Sequence, residues 1–181
     1  VIPGQLISVL FERGAFTPSD STITSQVLMA YALGLPAYIA IKVFSTAHWA
    51  REDTTTPVKI AVIATLLNIA LSLALIQPFG VAGIALATGL TAWLQFVMHW
   101  RALKDHPAIQ FDARFIRALL KIVGASVIMS AALYGAVLFW DEYTQGQSVF
   151  EIIGLAGLVI GGAVVYGICV VVSGVIKLTD I

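Results

Sequence analysis

The ionisable residue least at home in its surroundings is Lys42. In "AYIAIKVFSTAHWAREDTTTPVK" it follows a long apolar run broken only by small residues and Pro36. Two further cations, Arg51 and Lys59, and two carboxylates, Glu52 and Asp53, come after it. An ammonium in such a place does one of two things. Its stem lies along a helix while the charge snorkels to a wet boundary, or it faces a water-filled cavity and attracts an anionic group. Gly34 and Pro36 upstream favour a kinked helix, although proline is also commoner in membrane helices than in soluble ones. Both readings stay open from these residues alone.

A second set of cations has clearer spacing. Arg114, Arg117 and Lys121 stand at i, i+3 and i+7 and so share one helical face, with Phe111, Phe115, Leu119 and Leu120 on other faces of the same turns. Such a strip attracts anionic lipid headgroups at about 1 kcal/mol per cation; the alternative is a docking strip for a phosphate-bearing lipid substrate. Asn68, in "TLLNIALSL", is an amide deep in an apolar run. It either bonds to a neighbouring helix, gaining about 1 kcal/mol, or lines a substrate path. Gly83, Ala87 and Gly89, and then Gly154, Gly157 and Gly161, form small-residue stripes that let helix backbones approach; a sliding interface is the other use of such a stripe.

Catalysis and metal chemistry find no footing. His48, His99 and His106 are dispersed and give no HxxxH-type ligand spacing. Cys169 stands alone, which excludes an internal disulfide and suits a small packing residue. Serines occur without a plausible base nearby, and no glycine-rich phosphate loop follows a strand. The expectation is a protein that is not an enzyme and needs neither cofactor nor metal. A net charge of zero points away from nucleic acid.

The elements that must hold these residues follow from composition. The 181 residues are 59% hydrophobic and 11% charged, with a mean hydropathy of +0.95, whereas a soluble domain carries about 25% charged residues. A hydrocarbon core of about 30 Å takes roughly 20 helical residues to cross, and five stretches satisfy this: about 20–46, 57–76, 81–101, 115–140 and 149–175. They are apolar almost all round, as helices covered on every face are. Thr17, Pro18 and Asp20 read as cap, first residue and dipole-matched carboxylate of the first span. Thr56 and Pro57 repeat the pattern, and Asp112 can cap the fourth span. "QPFG" (77–80) is short enough to force an antiparallel hairpin. The opening "VIPGQLISVLF" reads as an apolar segment already under way, so a longer chain is expected, with 1–181 one membrane domain of it.

Cations in the connections set the orientation. Arg51, Lys59, Arg101, Lys104, Arg114, Arg117, Lys121 and Lys177 collect on one side, and Arg13 alone on the other. The connection after the fourth span instead holds Asp141 and Glu142, with Glu151 just beyond. The cation-rich side is therefore expected to be cytoplasmic, with Lys42 near it.

Three stretches taken together resemble the MurJ/MviN family of bacterial lipid II flippases, within the multidrug/oligosaccharidyl-lipid/polysaccharide exporter superfamily. In "LFERGAFTPSDS" the F-x-x-G-x-F loop falls at Phe11, Gly14 and Phe16. "FSTAHWAREDTTTPVKIAV" carries R-x-D-x-x-T-P and a basic residue at Arg51, Asp53, Thr56, Pro57 and Lys59. "GVAGIALATGLTAWLQ" places G-x-x-G-x-A at Gly80, Gly83 and Ala85. The resemblance implies an all-α polytopic transmembrane bundle: the end of one helix and five full spans, forming the C-terminal lobe of a fourteen-helix transporter. It implies translocation of an undecaprenyl-pyrophosphate-linked peptidoglycan precursor across the bacterial inner membrane by alternating access, driven by membrane potential or an ion gradient. The partners implied are that lipid-linked anionic substrate, membrane lipids and the N-terminal lobe of the same chain. The last two helices would form a groove for the lipid tail, and Lys42 would be this lobe's contribution to the anion cavity. A polysaccharide-unit flippase, a drug/cation antiporter and a non-transporting assembly subunit are the alternatives.

Overall fold

The computed structural model describes residues 1–12, 14–104, 112–139 and 148–174. Arg13, His106, Phe111, Asp141, Glu142 and Lys177 lie outside the described residues. Every regular element among the described residues is a helix: α1 (Pro3–Phe11), α2 (Pro18–Trp49), α3 (Thr55–Leu103), α4 (Ala113–Val137) and α5 (Ser148–Val172). Four of them, α2 to α5, are long and apolar enough to cross a membrane. Large apolar side chains face outward along them, Leu73 at 68% and Val172 at 81% exposure. In water such exposure would be costly; against lipid it costs nothing.

Where the sequence predicts two spans at 57–76 and 81–101, the structure has the single element α3, interrupted at Gly80 (φ 57°, ψ −140°). A straight helix would separate Asn68 from Thr88 by about 30 Å. Instead, Asn68 Nδ2 donates to Thr88 Oγ1 at 3.3 Å, so α3 doubles back on itself. Gly80 supplies the left-handed backbone that a side chain would resist. Gly83 supplies room: a Cβ there would overlap the Leu75 carbonyl and lie 2.6 Å from its carbon. Ala85, the last residue of the G-x-x-G-x-A pattern, is 1% exposed.

The chain divides into two units, 18–110 and 1–17 with 111–181. In the first, α2 packs on α3 through small residues, with Ala37 and Ala87 fully buried. A Cβ on Gly34 would meet Gly89 Cα at 2.9 Å. Pro36 removes the N–H that would bond Ala32, and beside this gap the carbonyl of Leu33 accepts a hydrogen bond from Trp93 Nε1 at 3.0 Å. The returning arm of α3 thus bonds a carbonyl next to the one that the proline frees.

The turn between α2 and α3 corrects the capping expectation. Thr56 is not the cap: α3 begins at Thr55, and its N-cap, Thr54, makes no side-chain capping bond. Asp53 does that work, accepting the Thr56 N–H at 3.0 Å and the Thr55 hydroxyl at 3.2 Å. α2 closes with a Schellman pair, Asp53 N–H to His48 O at 3.1 Å and Glu52 N–H to Trp49 O at 2.9 Å. Glu52 occupies the left-handed position (φ 58°) that glycine usually takes.

In the second unit, α1 and α4 each pack on α5. Gly14 turns the chain with φ 64°, bringing the Phe11 and Phe16 rings to 6.3 Å. Asp112 stands at the N-cap of α4, but its carboxylate makes no capping bond. Gly157 and Gly161 depart from the close-packing expectation: a Cβ on either would meet nothing within 4 Å. It is Gly162 that lies close to α4, with a Cβ position 3.2 Å from the Leu133 side chain.

Candidate functional site

The open glycine stripe becomes intelligible once its surroundings are drawn. α4 and α5 enclose an apolar groove of about 530 Å³, lined by Leu133, Ala136 and Phe139 on one wall and by Phe150, Ile153, Gly157, Gly161 and Val165 on the other. Glycine leaves the groove open because it has no side chain to fill it. A long hydrocarbon is the chemistry such a lining accepts.

The same two helices hold the cationic strip. Arg114, Arg117, Ala118, Lys121 and Gly174 surround a second cavity of about 250 Å³. Arg117 Nε donates to the Ala113 carbonyl at 3.1 Å, and Lys121 Nζ donates to the Ser173 carbonyl at the end of α5. These bonds hold the cations along the helix ends, where Lys121 also compensates the negative end of the α5 dipole. Arg117 and Ala136 are 19 residues apart, so about 28 Å of helix separates the charged cavity from the apolar groove. Charge sits at one end of the helix pair and the oily groove towards the other.

A third cavity, of about 240 Å³, lies between α2 and the two arms of α3. Tyr38, Thr65, Asn68, Thr88, Thr91 and Gln95 line it. Asn68 makes the interhelical bond of the first reading, to the returning arm, and also lines this polar cavity. Lys42 is exposed on α2 and belongs to none of these three cavities.

At the C-terminal end of α2 lies a group that the dispersal of the histidines concealed. His48 and His99 are each 1% exposed, and their rings stand 5.3 Å apart. His48 Nδ1 is 3.2 Å from Asp53 Oδ2. The Thr56 N–H above all, with the Thr56, His48 and Thr55 side chains, holds the Asp53 carboxyl well below the usual carboxylate range. The family-motif residues Arg51 and Lys59 are exposed beside this turn, and Pro57 is buried. Two histidines near the ends of spans that meet as neighbours were the available signal; their 51-residue separation hid it.

Comparison with known proteins settles the lineage. The profile of the family described as lipid II flippase MurJ matches residues 1–154. The chain belongs to the MurJ family. A probable lipid II flippase MurJ from Rhizobium meliloti (strain 1021) is 35% identical over 137 residues, covering 76% of this chain and 26% of the relative. Its counterpart in Vibrio cholerae serotype O1 is 31% identical over 161 residues, covering 87% of this chain and 31% of the relative. The solved structure of lipid II flippase MurJ in its inward closed conformation superposes with a TM-score of 0.73 at 30% identity, covering 93% of this chain and 32% of that one. The chain thus spans about a quarter to a third of the length of the relatives it matches. The family match places the chain in the MurJ branch of the superfamily, the branch that the resemblance indicated.

Proposed function

We propose that this chain is the C-terminal part of a lipid II flippase of the bacterial inner membrane. It moves an undecaprenyl-pyrophosphate-linked peptidoglycan precursor by alternating access, transporting it without chemical conversion. The observation that carries the reading is the apolar groove between α4 and α5, whose dimensions and lining suit an isoprenoid tail. The MurJ relatives support the choice of cargo through the function printed in their names.

In this reading the two arms of α3 each cross the bilayer, giving five crossings in one membrane domain. At 49 residues α3 is about 73 Å long if straight, more than twice the hydrocarbon thickness, and its fold-back at Gly80 resolves the mismatch. The cation-rich connections lie in the cytoplasm. Arg114, Arg117 and Lys121 hold phosphate-bearing headgroups at that face. Lys42 and Asn68 are this lobe's polar contribution to a cavity completed by the N-terminal lobe. Alternating access needs both lobes to rock against each other, so the partners are that lobe, the lipid-linked anion and the membrane lipids.

The test fills the groove without disturbing the packing. Gly157→Leu and Gly161→Leu place side chains where a Cβ meets nothing within 4 Å. In the full-length protein, each should express and insert normally yet fail to complement a flippase-depleted strain. Full complementation by both would remove the groove from the transport path.

A further inference from the structure

The cationic cavity and the apolar groove share one stripe of α4. Arg114 and Ala118, in the cavity, stand 18 residues before Ala132 and Ala136, in the groove. That spacing is five full turns, so each pair leaves the helix on the same side. α5 runs the other way beside it: Gly174 closes the cavity, and the stretch from Val165 back to Phe150 lines the groove. Between the two, α4 carries no charged residue from Ile122 to Ala132, and α5 carries none from Ile152 to Val172. Ile128, along the same stripe of α4, is 53% exposed. A charged pocket and an oily groove are thus joined by an uncharged path, the plan of a site for a lipid with an anionic head.

The length of that path decides which lipid. Val165 precedes Gly174 by nine residues and Ala132 follows Lys121 by eleven, so the near rim of the groove lies about 14–17 Å from the cavity. Phe150 precedes Gly174 by 24 residues, which puts the far end at about 36 Å. A lipid of one leaflet covers half of a hydrocarbon core of about 30 Å, or about 15 Å, so its chain ends near that rim. An extended hydrocarbon advances about 1.25 Å per bond of about 1.5 Å, hence about 5 Å per prenyl unit. To reach Phe150 from an anchor at the cavity takes about seven such units.

We infer that α4 and α5 measure the length of the lipid they hold. Arg114, Arg117 and Lys121 anchor the phosphate of a polyprenyl chain, and the groove receives only the part of the chain that lies beyond the reach of an ordinary leaflet lipid. Charge admits any anionic lipid; the groove selects the long isoprenoid. This inference rests on the isoprenoid reading of the groove, and it adds which part of the chain the groove holds and what fixes that part there.

The test uses the full-length protein in detergent micelles and polyprenyl diphosphates that carry a diazirine at the tail end, cross-linked by light and mapped by mass spectrometry. A chain of about four units, about 20 Å long, should label the near rim around Ala132 and Val165. One of about seven units should label the far end around Phe139 and Phe150, and an excess of phosphatidylglycerol should leave that labelling in place. Arg114→Gln with Arg117→Gln keeps the Lys121 bond to Ser173. It should weaken binding about fivefold per cation removed and spread the labels along the groove. Labels that stay in one place whatever the chain length overturn the inference but leave the groove a lipid site, as does an unchanged labelling pattern in the folded double variant. Loss of the far-end labels to phosphatidylglycerol also overturns it, by giving the site to ordinary anionic lipids. If no chain labels the groove, the groove reading itself falls with it. The length series in the unsubstituted protein decides the matter even if the double variant fails to fold.

Discussion

Substituting Gly83 by alanine tests whether the fold-back of α3 is built as described. An ordinary contact between carbon atoms lies at about 3.5–4.0 Å. The new Cβ would stand 2.6 Å from the Leu75 carbonyl carbon and 3.2 Å from Ile76 N, so one arm must move by about 1 Å. Overpacking typically costs about 1–3 kcal/mol, and the obstruction is backbone, which cannot rotate away. The upper end applies, about 3 kcal/mol, or roughly a hundredfold in the unfolding equilibrium. Graded controls come from the same molecule. Gly34→Ala meets Gly89 Cα at 2.9 Å and Gly89→Ala meets the Ala30 carbonyl oxygen at 3.3 Å, so they should cost progressively less. Gly124→Ala meets nothing within 4 Å and should be neutral or stabilising by up to about 1 kcal/mol through helix propensity. The assay is equilibrium unfolding of the full-length protein in mixed detergent micelles. If Gly83→Ala proves no more costly than Gly89→Ala, the two arms do not meet at Leu75 and the reasoning fails.

Two further outcomes concern the turn after α2. Glu52 sits in the left-handed region at the end of that helix, so Glu52→Gly should raise stability by about 1 kcal/mol in the same unfolding assay. The depressed Asp53 carboxyl makes its contribution pH-dependent: it is fully present above the unfolded value of about 4 and is lost as pH falls through the lower folded value. Asp53→Asn should therefore be clearly less stable than the unsubstituted protein near neutral pH, and the gap should narrow as the pH drops below about 4. A gap that widens in acid would contradict the assigned hydrogen bonds.

The resemblance stretches show how far residues alone can be read and where they stop. Asp53 was visible as part of R-x-D-x-x-T-P, yet its task as the α3 cap and the His48 partner was not; Thr56 looked the better cap because threonine before proline is a common helix start. Gly80 and Gly83 were visible as a pattern, but one serves a backbone angle and the other a close approach. The second stripe misled in the other direction. Gly154, Gly157 and Gly161 have the spacing of a packing face but line an open groove, because spacing fixes only which residues share a face and not what lies opposite.

By itself the sequence determined the membrane class and the approximate extent of the apolar stretches. Each of these is a sum over about 20 neighbouring residues, and transfer into lipid depends on little else. Only the tertiary structure decided that Asn68 meets Thr88, that Trp93 covers the carbonyl of Leu33 and that His48 lies against His99. Helices that are apolar all round give no preferred inward face, and lipid solvates their outsides as well as protein does. Which faces meet is then settled by small-residue fit and a few polar bonds between residues 20 to 60 positions apart, and local pattern does not encode those partners.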